Sequence, residues 1–447
     1  MMIRGVAVVR FTEKRIQRDV DLTYREDFIA RCRRLGKNHF TRKRKMPLGR
    51  LLLSILNRRG LTLSLELRKF KELTGMEEGI SKPGYLKQRM KLNPDSLMEL
   101  CRYHNKGLYV DGEMKTLKGY YILAADGSGV NVPTTPETLE AYGSSSKKGT
   151  KPQASLGISC LYDLVNHTIL ECSINSCKFN EMKEAYAQIH EAKDTIGSAG
   201  SVLVLDRGYP SSPYFVRMLE EDQKFIIRLK SSDFKKEKKA MKTSDEEVEI
   251  VFDRSRLQHY LGSEMGEKIR MLGSIRMRFV RIILENGTLE YLATNLPMSE
   301  FTTEEIGEVY RMRWNIETAY DMLKNNLELE NFTGTKPTLI EQDIYSCVYL
   351  CNLAQDMIAD ADAEQQKENE GKYKHRMTVN KTYAVGVLKK ELIHALLEED
   401  PNKKSGIFHQ MVAELKKNLI PIRGDRHYKR TKGNLASKYS NTHKRSY

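Results

Sequence analysis

Two segments of the chain carry an almost unbroken apolar run that meets an aspartate followed within two residues by glycine: GYYILAADGSG at 119–129 and SVLVLDRGYPS at 201–211. Short apolar runs bounded by turn formers read as buried strands. The pattern therefore places Asp126 and Asp206 at strand ends, on the carboxyl edge of a sheet where α/β sites are built, although Asp-Gly is also an ordinary turn signal. Between them, QASLGISCLYDL (153–164) and HTILECSINS (167–176) alternate about a short Val165-Asn166 turn, which predicts a hairpin extending the same sheet. NEMKEAYAQIHEAKDTIG (180–197) has helical character, Pro210 and Ser211 open a helix running to about Glu221, and KFIIRLK (224–230) is a further strand.

Asp206 and Glu317 are 111 residues apart, more than one strand and one helix would use, so an inserted module is expected between them. It opens with the Lys-rich 231–247. VEIVF (248–252) and IRMRFVRIIL (275–284) alternate like strands, and Asn286-Gly287 turns the chain into TLEYLATNL (288–296). Arg276 and Arg278 share one strand face, open to phosphate or simply to solvent. Upstream, to about residue 115, REDFIARCRRLG, GRLLLSILNRR, SLELRKFKELTG and PDSLMELCRYHN read as helices. Downstream, EQDIYSCVYLCNLAQDMIADA (341–361) reads as a buried helix, the polar EQQKENEGK (364–372) as a disordered linker, and KTYAVGVLKKELIHALLEE and HQMVAELKKNL as two more helices before a basic tail.

The run YRMRWNIETAYDMLK (310–324) holds Tyr310, Arg313, Glu317 and Lys324 in a Y-x2-R-x3-E-x6-K spacing. At about 100° per residue the four fall within roughly 60° on one helical face. Val309, Met312, Ile316, Ala319 and Leu323 form an apolar arc beside them. A solvated face with an Arg313–Glu317 pair has the same spacing. Combined with two strand-borne aspartates, however, Glu317 completes an all-oxygen ligand set. Hard divalent cations take such donors, and two of them about 3.5–4 Å apart can activate an attacking oxygen and stabilise a leaving one in phosphoryl transfer.

With LDRGYPS, ADGS and the complete Tyr-Arg-Glu-Lys signature in this order, the sequence resembles the DDE transposases of bacterial insertion sequences, in the subgroup named for that signature (insertion sequence family four). The resemblance covers roughly residues 60–447. It implies an α/β, ribonuclease-H-like catalytic core interrupted by a β-rich insertion, a helical N-terminal DNA-binding domain and a helical, basic C-terminal region. It further implies Asp126, Asp206 and Glu317 as catalytic ligands of two Mg2+ ions (Mn2+ may substitute), with Tyr310, Arg313 and Lys324 contacting DNA phosphates. The implied activity is cut-and-paste strand cleavage and strand transfer at terminal inverted repeats, on double-stranded DNA ends and target, by a homodimer. Some members carry a tryptophan immediately before the strand resembling YLATNLP, where it stacks in place of a flipped base. This chain has Glu290 there, beside Tyr291, which leaves Tyr291 and Phe279 as candidates. Its single tryptophan, Trp314, lies in the signature helix, where packing is expected.

On these readings the chain divides into 1–115 (helical, DNA-binding), 116–230 (first part of the core), 231–289 (β-rich insertion), 290–361 (second part of the core) and 362–447 (helical, with a basic tail). Charge fits a nucleic-acid partner. Residues 1–50 hold fifteen Lys and Arg against five Asp and Glu, and residues 421–447 eight against one, within a net +15. The basic cluster Arg42, Lys43, Arg44 and Lys45 belongs to this excess. The longest apolar run, LLLSIL, is too short to span a membrane. Seven cysteines without zinc spacing, and no secretory signal, suit a bacterial cytoplasm with the protein at the nucleoid. Two other readings stay open: a nuclease of the same fold without strand transfer, and an idle DNA-binding regulator derived from a transposase.

Overall fold

The computed structural model describes residues 11–42, 45–110, 114–146, 151–197, 199–260, 262–284 and 287–422. Its centre is one eight-stranded mixed sheet, built from β1 (Tyr120–Asn131), β2 (Ser155–Asp163), β3 (Thr168–Ser176), β4 (Gly200–Leu205), β5 (Lys224–Leu229), β6 (Asp245–Val251), β7 (Ser274–Ile283) and β8 (Leu289–Thr294). The order is β3-β2-β1-β4-β5-β8-β7-β6. β1, β4 and β5 run parallel, and the remaining neighbours pair antiparallel. The two strands expected in an inserted module, β6 and β7, thus lengthen the same sheet, because β8 pairs with β7 on one side and returns to pair with β5 on the other (Ile227 opposite Ala293).

Strand periodicity assigns the two faces. Ile122, Ala124, Val202, Val204 and Ile226 point into one core with the N-terminal helices and the helices after β8. Tyr121, Leu123, Ala125, Leu203, Leu205, Phe225 and Ile227 point into another under the helices Glu181–Ile196 and Ser212–Glu220. Strands buried on both sides must be apolar at every position, which is why LVL and FII read as unbroken runs.

Two expectations about element limits fail. β1 does not end at Asp126 but continues to Asn131, because β2 stays paired alongside it (Asp126 opposite Cys160, Asn131 opposite Ser155). What ends there is the parallel neighbour: the β1–β4 register stops at Ala124 opposite Val204, two residues before each aspartate. The polar stretch after residue 361 is not a linker over its first half, since the helix Pro337–Glu368 runs straight through it. Gln365 donates to the Met377 carbonyl at 2.9 Å, and Lys416 pairs with Glu364 (2.9 Å) and Glu368 (2.6 Å), so the apparent solvation is satisfied by neighbouring elements.

The N-terminal helices pack onto the long helix through buried ions. Asp343 receives Arg58 at 3.1 Å and Arg89 at 2.8 Å. Asp356 receives Arg15, whose helix Phe11–Leu22 was not among the predicted ones, and His104 lies between Asp19 (2.7 Å) and Asp356 (3.5 Å). Lys43, Arg44 and the tail from residue 423 lie outside the described residues. No helix among the described residues is long and apolar enough to cross a membrane.

Candidate active site

Asp126 and Asp206 come together because both lie two positions beyond the last paired residues of adjacent parallel strands. The third carboxylate arrives on a helix that is not continuous. The signature run folds as Thr303–Met312, a break at Arg313, then Trp314–Asp321, closed by a π turn at Met322–Asn326. The Thr302/Glu305 capping box fixes the start of this unit. Asn315 fixes its middle by donating to the Leu164 carbonyl at 2.9 Å. Tyr320 ties it to β1, its hydroxyl donating to the Asp126 carbonyl at 2.6 Å. Neither Tyr320 nor the π turn was visible as a site feature in the sequence, because an apolar-facing tyrosine reads as core.

Arg313 is the hub. It is 7% exposed, with Nη1 4.0 Å from Asp126 Oδ2 and Nη2 3.4 Å from Glu317 Oε1. The Tyr310 hydroxyl donates to Asp206 Oδ1 at 3.3 Å. Lys324 lands farther along β1, donating to Ser128 Oγ (2.8 Å) and the Gly129 carbonyl (2.6 Å). Four of the other five predicted residues therefore gather around Arg313, and Lys324 clamps the strand beside them.

Electrostatics mark the cluster as short of positive charge. Burial pushes the Asp126 carboxyl up to about 6; Arg313 opposes this, and the charges of Glu181 and Asp206 add to it. Burial also works against the Arg313 charge, but Tyr310, Asp206 and Asp126 hold its pKa above the ordinary value. Burial, helped by Asp206, raises Tyr310 to about 12, so it stays a hydrogen-bond donor. Burial lowers Lys324, with Glu330 opposing. Three carboxylates thus face one guanidinium, and Arg313 Nε is buried without a hydrogen-bond partner among the described residues. All-oxygen donors with excess negative charge fit a hard divalent cation. With the side chains as they stand, no three His, Cys, Asp or Glu among the described residues enclose an ion.

Beside Asp206, a cleft of about 520 Å³ is lined by Arg207, Arg228, Lys230, Lys235, Lys238 and Lys239, with Glu290 and Tyr291 on its wall. Glu290 pairs with Arg228 at 2.8 Å, and Lys238 lies 5.1 Å from the Tyr291 ring centre. The structure separates the aromatic candidates. Phe279 is fully buried against Phe234 and belongs to the core. Trp314, expected to pack, is 53% exposed at the helix break, with Arg313 5.7 Å from its ring. Trp314 lies on the side of the helix opposite Val309, Met312, Ile316, Ala319 and Leu323, so its exposure follows from the helical period. Arg278, expected on a face open to phosphate or to solvent, is 4% exposed and bound to Asp245 (2.6 Å) and to the Leu296 and Phe301 carbonyls, whereas Arg276 is exposed.

A mixed α/β core presenting two strand-borne aspartates and a helix-borne glutamate is the setting of a DDE domain, and residues 117–353, just over half of the 447, match the family described as Transposase DDE domain. The chain belongs to that family. Among curated relatives it is 22% identical over 246 residues to Transposase InsG for insertion sequence element IS4 of Escherichia coli (strain K12), covering 53% of this chain and 51% of that one. It is 27% identical over 153 residues to a putative transposase for insertion sequence element IS4SA of Synechocystis, covering 33% and 38%. The matched region spans about half the length of the first of these relatives and less of the second. A cryo-EM structure of the piggyBac transposase synaptic complex with hairpin DNA aligns over 92% of this chain and 83% of its own, at 10% identity and a TM-score of 0.44.

Proposed function

We propose that this protein is a DNA transposase that cuts and rejoins DNA by metal-dependent phosphoryl transfer at the terminal inverted repeats of an insertion sequence. The observation that carries the reading is the convergence of Asp126, Asp206 and Glu317 around Arg313, within a domain of the transposase DDE family. The strand order β3-β2-β1-β4-β5, antiparallel to parallel at β1, supports a ribonuclease-H-like core within the larger sheet.

Asp126, Asp206 and Glu317 would hold two divalent cations, Mg2+ being the natural choice for oxygen donors. Such ions supply activation of water or of a 3′-hydroxyl and stabilisation of the leaving oxygen. The chain's own groups do the rest. Arg313, buried beside Asp126 and Glu317, would offer its planar fork to a scissile-strand phosphate. Tyr310, kept protonated, donates alongside it. Lys324 fixes the strand that carries Asp126. The cleft from Arg207 to Lys239 continues the positive surface away from the site and suits a duplex backbone. Two ends must be cut and joined together, so a homodimer on DNA is part of the reading, as is DNA contact by the helical N-terminal region and the basic tail.

The test is nicking of a duplex bearing the inverted repeats that flank the gene, in Mg2+, alongside a gel shift. Asp126→Asn, Asp206→Asn and Glu317→Gln should each abolish cleavage and retain binding. Near-normal cleavage by one variant removes that residue from the site. Cleavage by the wild type without joining to target would favour a nuclease.

A further inference from the structure

The basic cleft beside Asp206 contains one residue of the opposite sign. Six cations line it, and among the described residues Glu290 is the single acid on its wall. A carboxylate repels the phosphates that the rest of the lining attracts, so its place there calls for a reason. Its partner supplies one. The register that sets Ala124 beside Val204 and Val204 beside Ile226, carried two residues on, sets Asp126, Asp206 and Arg228 in one row across three parallel strands. Ala124, Val204 and Ile226 point into one core, as does Leu292, which lies opposite Arg228 on β8. Strand periodicity therefore puts Arg228 on the same face of the sheet as the two aspartates. Glu290 is two residues beyond Leu292 on β8, and its carboxylate pairs with the Arg228 guanidinium at 2.8 Å.

Arg278, two strands away, shows what an arginine held for the fold looks like: it is buried, and Asp245 and two carbonyls take up its donors. Arg228 differs on each count. Its side chain is 31% exposed, and among the described residues Glu290 is its one ion-pair partner and no carbonyl receives it. Packing alone does not require such a pair, since apolar side chains of similar volume in place of a buried ion pair are often neutral or stabilising. A partly exposed guanidinium in a cation-lined cleft is fitted to phosphate. Here a carboxylate already holds that place.

We propose that Glu290 is a brake on DNA binding: it occupies Arg228 in the DNA-free protein and yields that guanidinium to a backbone phosphate when DNA enters the cleft. The brake presupposes the function proposed above, in which this cleft takes a DNA backbone. It acts close to the chemistry, because Arg228 stands one strand from Asp206 in the row that carries the aspartates. Glu290 thus weakens the hold on DNA without removing a cation from the cleft.

The experiment is fluorescence anisotropy of a labelled duplex of arbitrary sequence with the full chain, over a series of salt concentrations and without divalent ions, so that no strand is cut. The proteins are wild type, Glu290→Gln, Arg228→Met, the double variant and, as a control for net charge, a variant of the exposed Glu399, Glu399→Gln, with a melting curve for each. Glu290→Gln should keep the melting temperature, tighten binding at least about threefold and steepen the slope of log K against log salt by about 0.9, the contribution of one further phosphate. Arg228→Met should bind more weakly than wild type, the double variant should lack the steepening, and Glu399→Gln should match wild type. Unchanged or weaker binding by Glu290→Gln at an unchanged melting temperature overturns the brake and leaves the pair to the fold. Steepening that persists in the double variant assigns the released cation elsewhere and overturns the role of Arg228. Equal tightening by Glu399→Gln reduces the effect to net charge and overturns it too. Should Glu290→Gln melt early, Glu290→Met carries the same readout with an apolar side chain in the carboxylate's place. Absence of duplex binding by wild type overturns the DNA reading itself.

Discussion

Asp126 is held in a state that costs the folded chain free energy. Its folded pKa of about 6 lies above the unfolded value, so the native state binds the extra proton between about pH 4 and 6, and stability falls as pH rises through that window. Asp126→Asn removes the penalty. In the absence of divalent ions at pH 7.5 it should melt higher than wild type, by on the order of 1 kcal/mol, and the gain should vanish at pH 4. A melting temperature below wild type at pH 7.5 would show that Arg313 over-compensates the carboxylate. Arg313 itself was legible in the sequence as one member of a spaced set, but not as a buried residue. Arg313→Ala strips the site of the guanidinium that lies between Asp126 and Glu317. It should lower single-turnover cleavage by on the order of 10²-fold or more while end binding persists. Full cleavage by this variant would return the residue to an ordinary i,i+4 pair.

At the scale of elements, β6 and β7 show why two arginines of one strand face have different fates. Arg276 lies opposite Glu249 and remains exposed, whereas Arg278 lies where the chain after β8 folds back over the sheet and offers it the Leu296 and Phe301 carbonyls. Arg278→Met should destabilise by about 3 kcal/mol, the cost of leaving Asp245 and two carbonyls without their donor. Arg276→Ala should stay within about 0.5 kcal/mol. Paired melting curves check both, and equal effects would place both arginines in one environment. Local periodicity carried the strands β2 to β5 and the helix Glu181–Ile196 almost to the residue, because each is decided by its own burial pattern. It failed where a partner decides. β1 outlives its turn signal because β2 holds it, the polar end of the long helix is satisfied by Lys416 and β9 (Met377–Val379), and a helical wheel drawn through 310–324 crosses a break and a π turn.

The whole molecule is tied together by ions that its sequence places more than 200 residues apart. Burial opposes the charge on His104, but Asp19 and Asp356 win and raise it to about 9. A folded value above the unfolded one, about 6.5, means that its stabilisation is complete below pH 6.5 and is lost as pH rises through about 9. Wild type should therefore lose melting temperature between pH 7 and 9.5 more steeply than His104→Asn. Parallel curves would remove His104 from the account. The same network changes what a truncation measures. Deleting residues 1–50 removes fifteen cations, the buried Arg15 among them, together with the buried Phe28, so it should unfold part of the protein rather than merely weaken DNA binding. Hydrogen exchange of the helix Pro337–Glu368 would report this directly, and unchanged protection would show that the N-terminal helices dock independently.

The return of β8 to β5 has a further consequence during synthesis. Sixty residues separate Leu229 from Leu289, so at 5–20 residues per second the apolar edge of β5 waits roughly 3–12 s on the ribosome before its partner exists. Through that interval the nascent chain presents Phe225, Ile226 and Ile227 on a strand paired only with β4, its other edge open to adhesive contact. Yield in the cell should therefore depend on how quickly codons 230–289 are read, and rarer synonymous codons there should raise the insoluble fraction without changing a single residue.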